Sequence, residues 1–166
     1  MSGSKPNGQR PRTSARLAAV QALFQSEASG LDAEGVIEEF IHHRLGRNEN
    51  QDSYADGRVP DADVPLFGRI VRAVAAQQAA IDEVITAALM ADWPMSRLDP
   101  VLRAALRCGA AELWLADGPP VRVIINEYMD VAHGFFEGDE PGVVNGVLDK
   151  VARQLRPAEF AGPASA

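Results

Sequence analysis

One cysteine, Cys108, is all the thiol this 166-residue sequence contains. A single thiol cannot close an intramolecular disulfide or build a cysteine-based zinc site, and it suits a reducing cytoplasm. No stretch reaches the ~18 uncharged apolar residues that a membrane span needs, so no membrane association is expected. Met1 to Ser14 is basic and polar but has no apolar core, which excludes a secretory signal of ordinary type. Aromatic residues make up only 6%. Also missing are a Walker A loop, a G-x-G-x-x-G turn and a nucleophile elbow. His42 and His43 are neighbours, so on a helix their side chains diverge by about 100° and cannot chelate one ion together. His133 has no H-E-x-x-H partner. The pairs Glu38-Glu39, Asp82-Glu83 and Asp139-Glu140 read as solvated faces or helix starts. Neither enzyme, metal nor cofactor is expected from this inventory.

What is present is an ordinary globular composition, 46% hydrophobic and 23% charged, which excludes disorder throughout. At this length one domain is expected, or two small subdomains sharing a core. The net charge is −7, and acidity normally argues against nucleic acid. The charge is unevenly spread, however. Residues 1–26 hold Lys5, Arg10, Arg12 and Arg16 and no acid, whereas residues 27–66 hold ten acids against three arginines. A basic arm on an acidic body has two readings: a solvated terminus, or an anchor for phosphates.

The spacing of apolar residues predicts six helices and no strand, an all-α fold. The first spans about Ser14 to Glu27, with Leu17, Val20, Leu23 and Phe24 as one apolar stripe and Gly30 as its end. The second opens at Asp32, an N-cap, and stops at Gly46. Residues 47–60 are polar and turn-rich, a surface loop. A long helix follows from about Asp63 to Met90 and is broken at Trp93-Pro94. Asp99-Pro100 then supplies a cap followed by proline in the first turn. The fourth helix ends at Gly118-Pro119-Pro120, the fifth runs from Val121 to Phe136, and the sixth from Asp139 to Arg156 before Pro157. Residues 158–166 read as a disordered tail.

Polar residues within these helices need partners. Asn126-Glu127 and Asn145 stand among valines and isoleucines, where an unpartnered polar group costs about 1–3 kcal/mol. They fit either a buried network between helices five and six, joined by Arg107, or the margin of a ligand surface. Gly109 and Gly146 would each permit close helix–helix approach. Cys108, next to Arg107, reads as a small buried core residue.

Three ordered motifs carry a resemblance. Leu98 to Arg107 (LDPVLRAALR) with Ala111-Glu112-Leu113, Pro120 to Glu127 (PVRVIINE), and Val144 to Lys150 (VNGVLDK) resemble signatures of the NusB family of transcription antitermination factors. Arg12-Thr13-Ser14-Ala15-Arg16 with Val20 to Phe24 is similar to that family's arginine-rich first helix. The likeness covers about residues 10 to 157, leaving the 47–60 loop unmatched.

The resemblance implies two packed three-helix subdomains, here about 12–90 and 96–156 within a domain of 12–157, preceded by a disordered basic arm, 1–11. It implies pairing with NusE, a ribosomal small-subunit protein, and joint binding of a boxA-like single-stranded RNA during ribosomal RNA transcription. Other Nus factors and RNA polymerase would be engaged indirectly. Carried over residue by residue, Arg12 and Arg16 match phosphate-contacting arginines, and Phe24 an aromatic able to stack a base, with core packing as its alternative. Gln21, Arg107, Phe135 and Asn145 match positions on or near the same surface. Thr13-Ser14 and Gly142-Val143 depart from the family pattern, the latter replacing the commoner Lys-Phe and so removing a charge and a ring. Acidic Glu112, Asp139 and Glu140 are expected to face the basic partner. The alternative function is a helical module that self-associates as a homodimer through an apolar face. NusB-like domains also head some ribosomal RNA methyltransferases, but 166 residues leave no room for a cofactor-binding α/β domain.

Overall fold

The computed structural model describes residues 10–45, 59, 61–115 and 117–161. Its helices are α1 (Arg10–Ser29), α2 (Ala33–His43), α3 (Val64–Ala88), α4 (Pro100–Trp114), α5 (Val121–Phe135) and α6 (Glu140–Leu155). The described residues contain no strand beyond a lone bridge between Leu45 and Val59. The fold is therefore all-α. The 47–60 loop and the first nine residues of the basic arm lie outside the described residues, apart from Val59.

Most boundaries follow from local chemistry. Gly30 adopts φ +76°, the left-handed geometry that ends α1, and its N–H donates to the Ser26 carbonyl at 2.9 Å. The Asp32 carboxylate accepts from the Gly35 N–H at 2.8 Å, capping α2. Asp99 does the same for Val101 at 2.8 Å, with Pro100 in the first turn of α4. Two boundaries differ from expectation. Helix α1 begins at Arg10, so Arg10 and Pro11 belong to a helix rather than to a disordered arm. Beyond α6, Pro157–Glu159 forms a 3-10 turn where an unstructured tail was expected.

The chain divides into two compact units, 1–72 and 73–166, against the expected boundary between 90 and 96. Helix α3 contributes to both, and within it Gln77 leaves helical geometry (φ −124°, ψ 22°). Val74 and Ile81 are buried but the residues from Ala75 to Ala79 are exposed, so no apolar packing restrains the helix there.

In the N-terminal unit, Val36, Ile37 and Phe40 of α2 are buried, and the Phe40 and Phe67 rings stack at 5.6 Å. The Arg72 guanidinium grips Glu34 through two bonds of 2.7 and 3.1 Å, holding α2 to α3. Helix α1 buries a face of small residues, Ala15, Ala18, Ala19 and Ala22, with Val20. The expected stripe of Leu17, Val20, Leu23 and Phe24 does not form: Leu17 and Phe24 are 37% and 40% exposed. The buried face is thus built mainly of alanines, and Leu17 and Phe24 are left outside.

In the C-terminal unit, α4, α5 and α6 pack around Leu106, Leu113, Ile124, Tyr128, Val144 and Leu148. Gly109 of α4 meets Leu148 of α6 so closely that a Cβ there would lie 2.6 Å from Leu148 Cδ1. Gly146, by contrast, is exposed with nothing within 4 Å of an added Cβ, so among the described residues it mediates no close helix approach.

Candidate nucleic-acid interface

Helix α1 presents Arg10 and Arg12 to solvent in its first turn, which holds no acid. A helix start is the positive end of the macrodipole, so two guanidiniums there reinforce a field that attracts anions. Farther along, Leu17, Gln21 and Phe24 recur at spacings of four and three and so share one stripe, with Gln21 half-buried and the other two exposed. An exposed ring on a helix that starts with cations can stack a base while arginines hold phosphates. Phe24 is thereby removed from the core, the alternative that its sequence left open.

Arg16 takes another place. It is 2% exposed, on the buried alanine face, and is engaged in interactions within the protein. The expectation that Arg16 contacts phosphate is corrected by its burial. Its spacing from Arg12 was suitable, but α1 turns that side inward.

In the C-terminal unit the expected residues also sort by burial. The Arg107 fork donates to both oxygens of Asp82, at 2.8 and 3.0 Å, with the side chain only 15% exposed. That two-bonded pair ties Arg107 of α4 to Asp82 of α3 and neutralises its charge. Glu112 is 2% exposed and accepts a 2.5 Å bond from the Tyr128 hydroxyl. It is a core group, which corrects its assignment to a partner surface; a carboxylate bonded to a buried phenol cannot face another protein. Asn126 and Asn145 are exposed, so the buried member of the polar pair in α5 is Glu127, at 7%. Cys108 is fully buried; burial pushes its thiol well above the ordinary range, and the Glu112 carboxylate adds to that against a smaller pull from Arg107.

Phe135, 40% exposed, closes α5 with its ring 6.5 Å from that of Phe136. Asn145 stands on α6 between exposed Gly142 and Gly146. Asp139 is exposed beside the start of α6 and caps nothing with its side chain. Glu140 is half-buried, and its Oε2 is enclosed without a hydrogen-bond partner among the described residues.

Around this corner lies an open hollow of about 560 Å³, lined by Met129 and His133 from α5, Gly138 and Asp139 from the connection, and Pro141, Gly142 and Val143 from α6. Gly142 and Val143, one of the two places where a departure from the family pattern was expected, thus border open space. Sequence reasoning missed Met129 and His133 as its other wall; helical spacing of 129 and 133 was the only available signal. His42 and His43 are exposed with rings edge-on at 4.9 Å. Among the described residues no group of three or more His, Cys, Asp or Glu could hold a metal, and no helix is long and apolar enough to cross a membrane.

Comparison with known proteins agrees over almost the whole chain. The NusB family model matches residues 13–153. The transcription antitermination protein NusB of Granulibacter bethesdensis is 61% identical over 153 residues, covering 92% of this chain and 94% of that one. The protein of the same name from Agrobacterium fabrum is 45% identical over 152 residues, with 92% and 88% covered. Among solved structures, T. maritima NusB superposes with a TM-score of 0.71 at 29% identity, covering 90% of this chain and 96% of that one. A structure of NusB and NusE in complex with dsRNA shares the fold, with a TM-score of 0.68, 22% identity and coverage of 87% and 98%. A family match spanning residues 13–153, relatives of this identity and a shared all-α architecture lead to one conclusion: the chain belongs to the NusB family.

Proposed function

We propose that this protein is a transcription antitermination factor that binds boxA-like single-stranded RNA as a heterodimer with NusE, in support of ribosomal RNA transcription. The observation that carries the reading is the solvent face of α1. Arg10 and Arg12 stand at its positive end, Gln21 and Phe24 follow on the same helix, and the first acid of the chain is Glu27. Its relatives bear the name of transcription antitermination proteins, and a protein of this fold has been crystallised with NusE and double-stranded RNA. Arg12 anchors phosphate and Phe24 stacks a base. Acid-rich residues 73–166, thirteen acids against seven bases, repel RNA and suit a basic ribosomal protein, with Asp139 and Glu140 on the partner's side. Other Nus factors and RNA polymerase are reached through this complex.

The test is a titration of boxA-like RNA with and without NusE at two salt concentrations. Arg12→Ala is expected to weaken binding and to lower the salt slope by about 0.7, the value of one phosphate contact on a single strand. Phe24→Ala removes a stacking contribution of about 1–3 kcal/mol. If NusE leaves affinity unchanged and neither variant alters it, the reading fails. A tight homodimer that excludes both ligands would favour a self-associating module instead.

A further inference from the structure

The C-terminal end of α6 does more than terminate a helix. The Arg156 guanidinium is 11% exposed and donates to four backbone carbonyls: Leu113 at 2.8 Å, Glu112 at 3.0 Å, Leu115 at 2.6 Å and Pro119 at 2.9 Å. The last carbonyls of α4 have no partners within their own helix, and a guanidinium from 41 to 44 residues away supplies them. The 3-10 turn Pro157–Glu159 then folds back. One oxygen of Glu159 accepts from Arg156 at 3.3 Å, and the other accepts from the Val121 N–H at 3.2 Å. Val121 is the first residue of α5, and Pro120 before it provides no side-chain cap. Phe160 completes the arrangement with its ring beneath the Arg153 guanidinium, 4.4 Å from the centroid.

Residues 156–160 therefore hold both ends of the α4–α5 connection, α4 through Arg156 and α5 through Glu159. Their hold is polar: no residue of the Pro157–Glu159 turn is buried, so little apolar area opposes its release. We infer that Arg156–Phe160 is a polar latch that locks the α4–α5 turn and opens as a unit before the rest of residues 73–166. When the latch is open, the Val121 N–H and the final α4 carbonyls return to water, while the packing around Leu106, Tyr128 and Leu148 is undisturbed.

The experiment is amide hydrogen exchange on the full chain, resolved by residue, for the parent protein and for Glu159→Gln, Phe160→Ala and Arg156→Lys. In the parent, Val121 is protected although first-turn amides ordinarily exchange freely. Glu159→Gln is expected to speed Val121 exchange about tenfold, since it removes a charge-assisted bond, with amides of Leu106 and Leu148 unchanged. Phe160→Ala, which touches no bond to the turn, is expected to speed the same amide if the segment opens as a unit. Arg156→Lys, unable to reach four carbonyls at once, is expected to speed Val121 and Leu115 together. Unchanged Val121 exchange in Glu159→Gln, an effect of Phe160→Ala absent at Val121, or an equal rise throughout residues 73–166 would each overturn the latch.

Discussion

Gly109 and Gly146 are both glycines in the interior of helices of the C-terminal unit, and replacement by alanine is expected to move stability in opposite directions. An alanine at Gly146 meets nothing within 4 Å. It gains the helix-propensity difference alone, about 0.5–1 kcal/mol in favour of the folded state. At Gly109 the same gain is opposed by collision. The new Cβ would stand 2.6 Å from Leu148 Cδ1, 3.0 Å from Cδ2 and 3.4 Å from Cγ, and Leu148 is fully buried. Two branches of one side chain are blocked together, and neither can turn toward solvent. Overpacking of a filled interior costs about 1–3 kcal/mol, here toward the upper end, so net destabilisation by about 1–2 kcal/mol remains. In thermal unfolding that corresponds to a midpoint lowered by about 2–4 °C per kcal/mol, with Gly146→Ala raising it on the same scale. Denaturant titration, read as the midpoint at constant slope, gives an independent value. Leu148→Ala supplies the decisive control. It opens space for a methyl, so Gly109→Ala introduced into that background should become stabilising. If Gly109→Ala stabilises the parent as Gly146→Ala does, or if its sign does not change when Leu148 is shortened, the close α4–α6 approach is not what holds that glycine.

Other outcomes follow from the buried charges and the thiol. Arg16→Ala and Arg107→Ala are expected to lower the unfolding midpoint yet leave the salt slope of RNA binding unchanged, opposite to Arg12→Ala, as paired titrations of the three variants would show. Cys108 is expected to resist alkylating reagents until the chain unfolds. Because its folded-state thiol is raised above the unfolded value, its contribution is complete below the unfolded thiol's ordinary pKa of about 8.5 and fades as pH climbs beyond it; Cys108→Ala should flatten that alkaline decline. Glu34 is the reverse case. Its hydrogen bond from Arg72 holds the carboxyl below its ordinary value, so the pair's contribution is present at neutral pH and is lost as pH falls through the folded-state value, with added salt weakening it first. Glu34→Gln compared with the parent in acid unfolding measures the difference.

The helices were legible because their ends carry strong chemistry. Asp32, Asp99-Pro100, Gly30 and the prolines at 119 and 120 act through neighbours only a few residues away, and the structure places helix ends beside each of them. The facing of α1 was not legible. Apolar periodicity counts large side chains, whereas this helix is seated by Ala15, Ala18, Ala19 and Ala22, whose small area weighs little in such a pattern. That one reversal breaks the expected apolar stripe, with Leu17 and Phe24 outward, and turns Arg16 inward. Glu112 was misread for another reason. An acid in a helix looks solvated until its partner is known, and Tyr128 lies 16 residues away on a different helix. The hollow at Gly142-Val143 was half legible, as a loss of side-chain volume. That the missing volume is open space was beyond reach of sequence alone, since a neighbour could have filled it.

The N–H of Asp63 donates to the carbonyl of Pro11 at 3.0 Å, and the Asp63 carboxylate caps α3 at the Leu66 N–H, also at 3.0 Å. The beginning of α1 is thereby tied to the beginning of α3, and Arg10 and Arg12 project from an anchored helical turn. An arginine on a loose tail must give up chain freedom each time it captures an anion. One mounted on a tethered helix has already lost that freedom when the protein folds, so less of the attraction is consumed on contact. For a short ligand offering few phosphates, this difference sets how long an encounter lasts, and a chain acidic in total can still retain one through a single well-mounted turn.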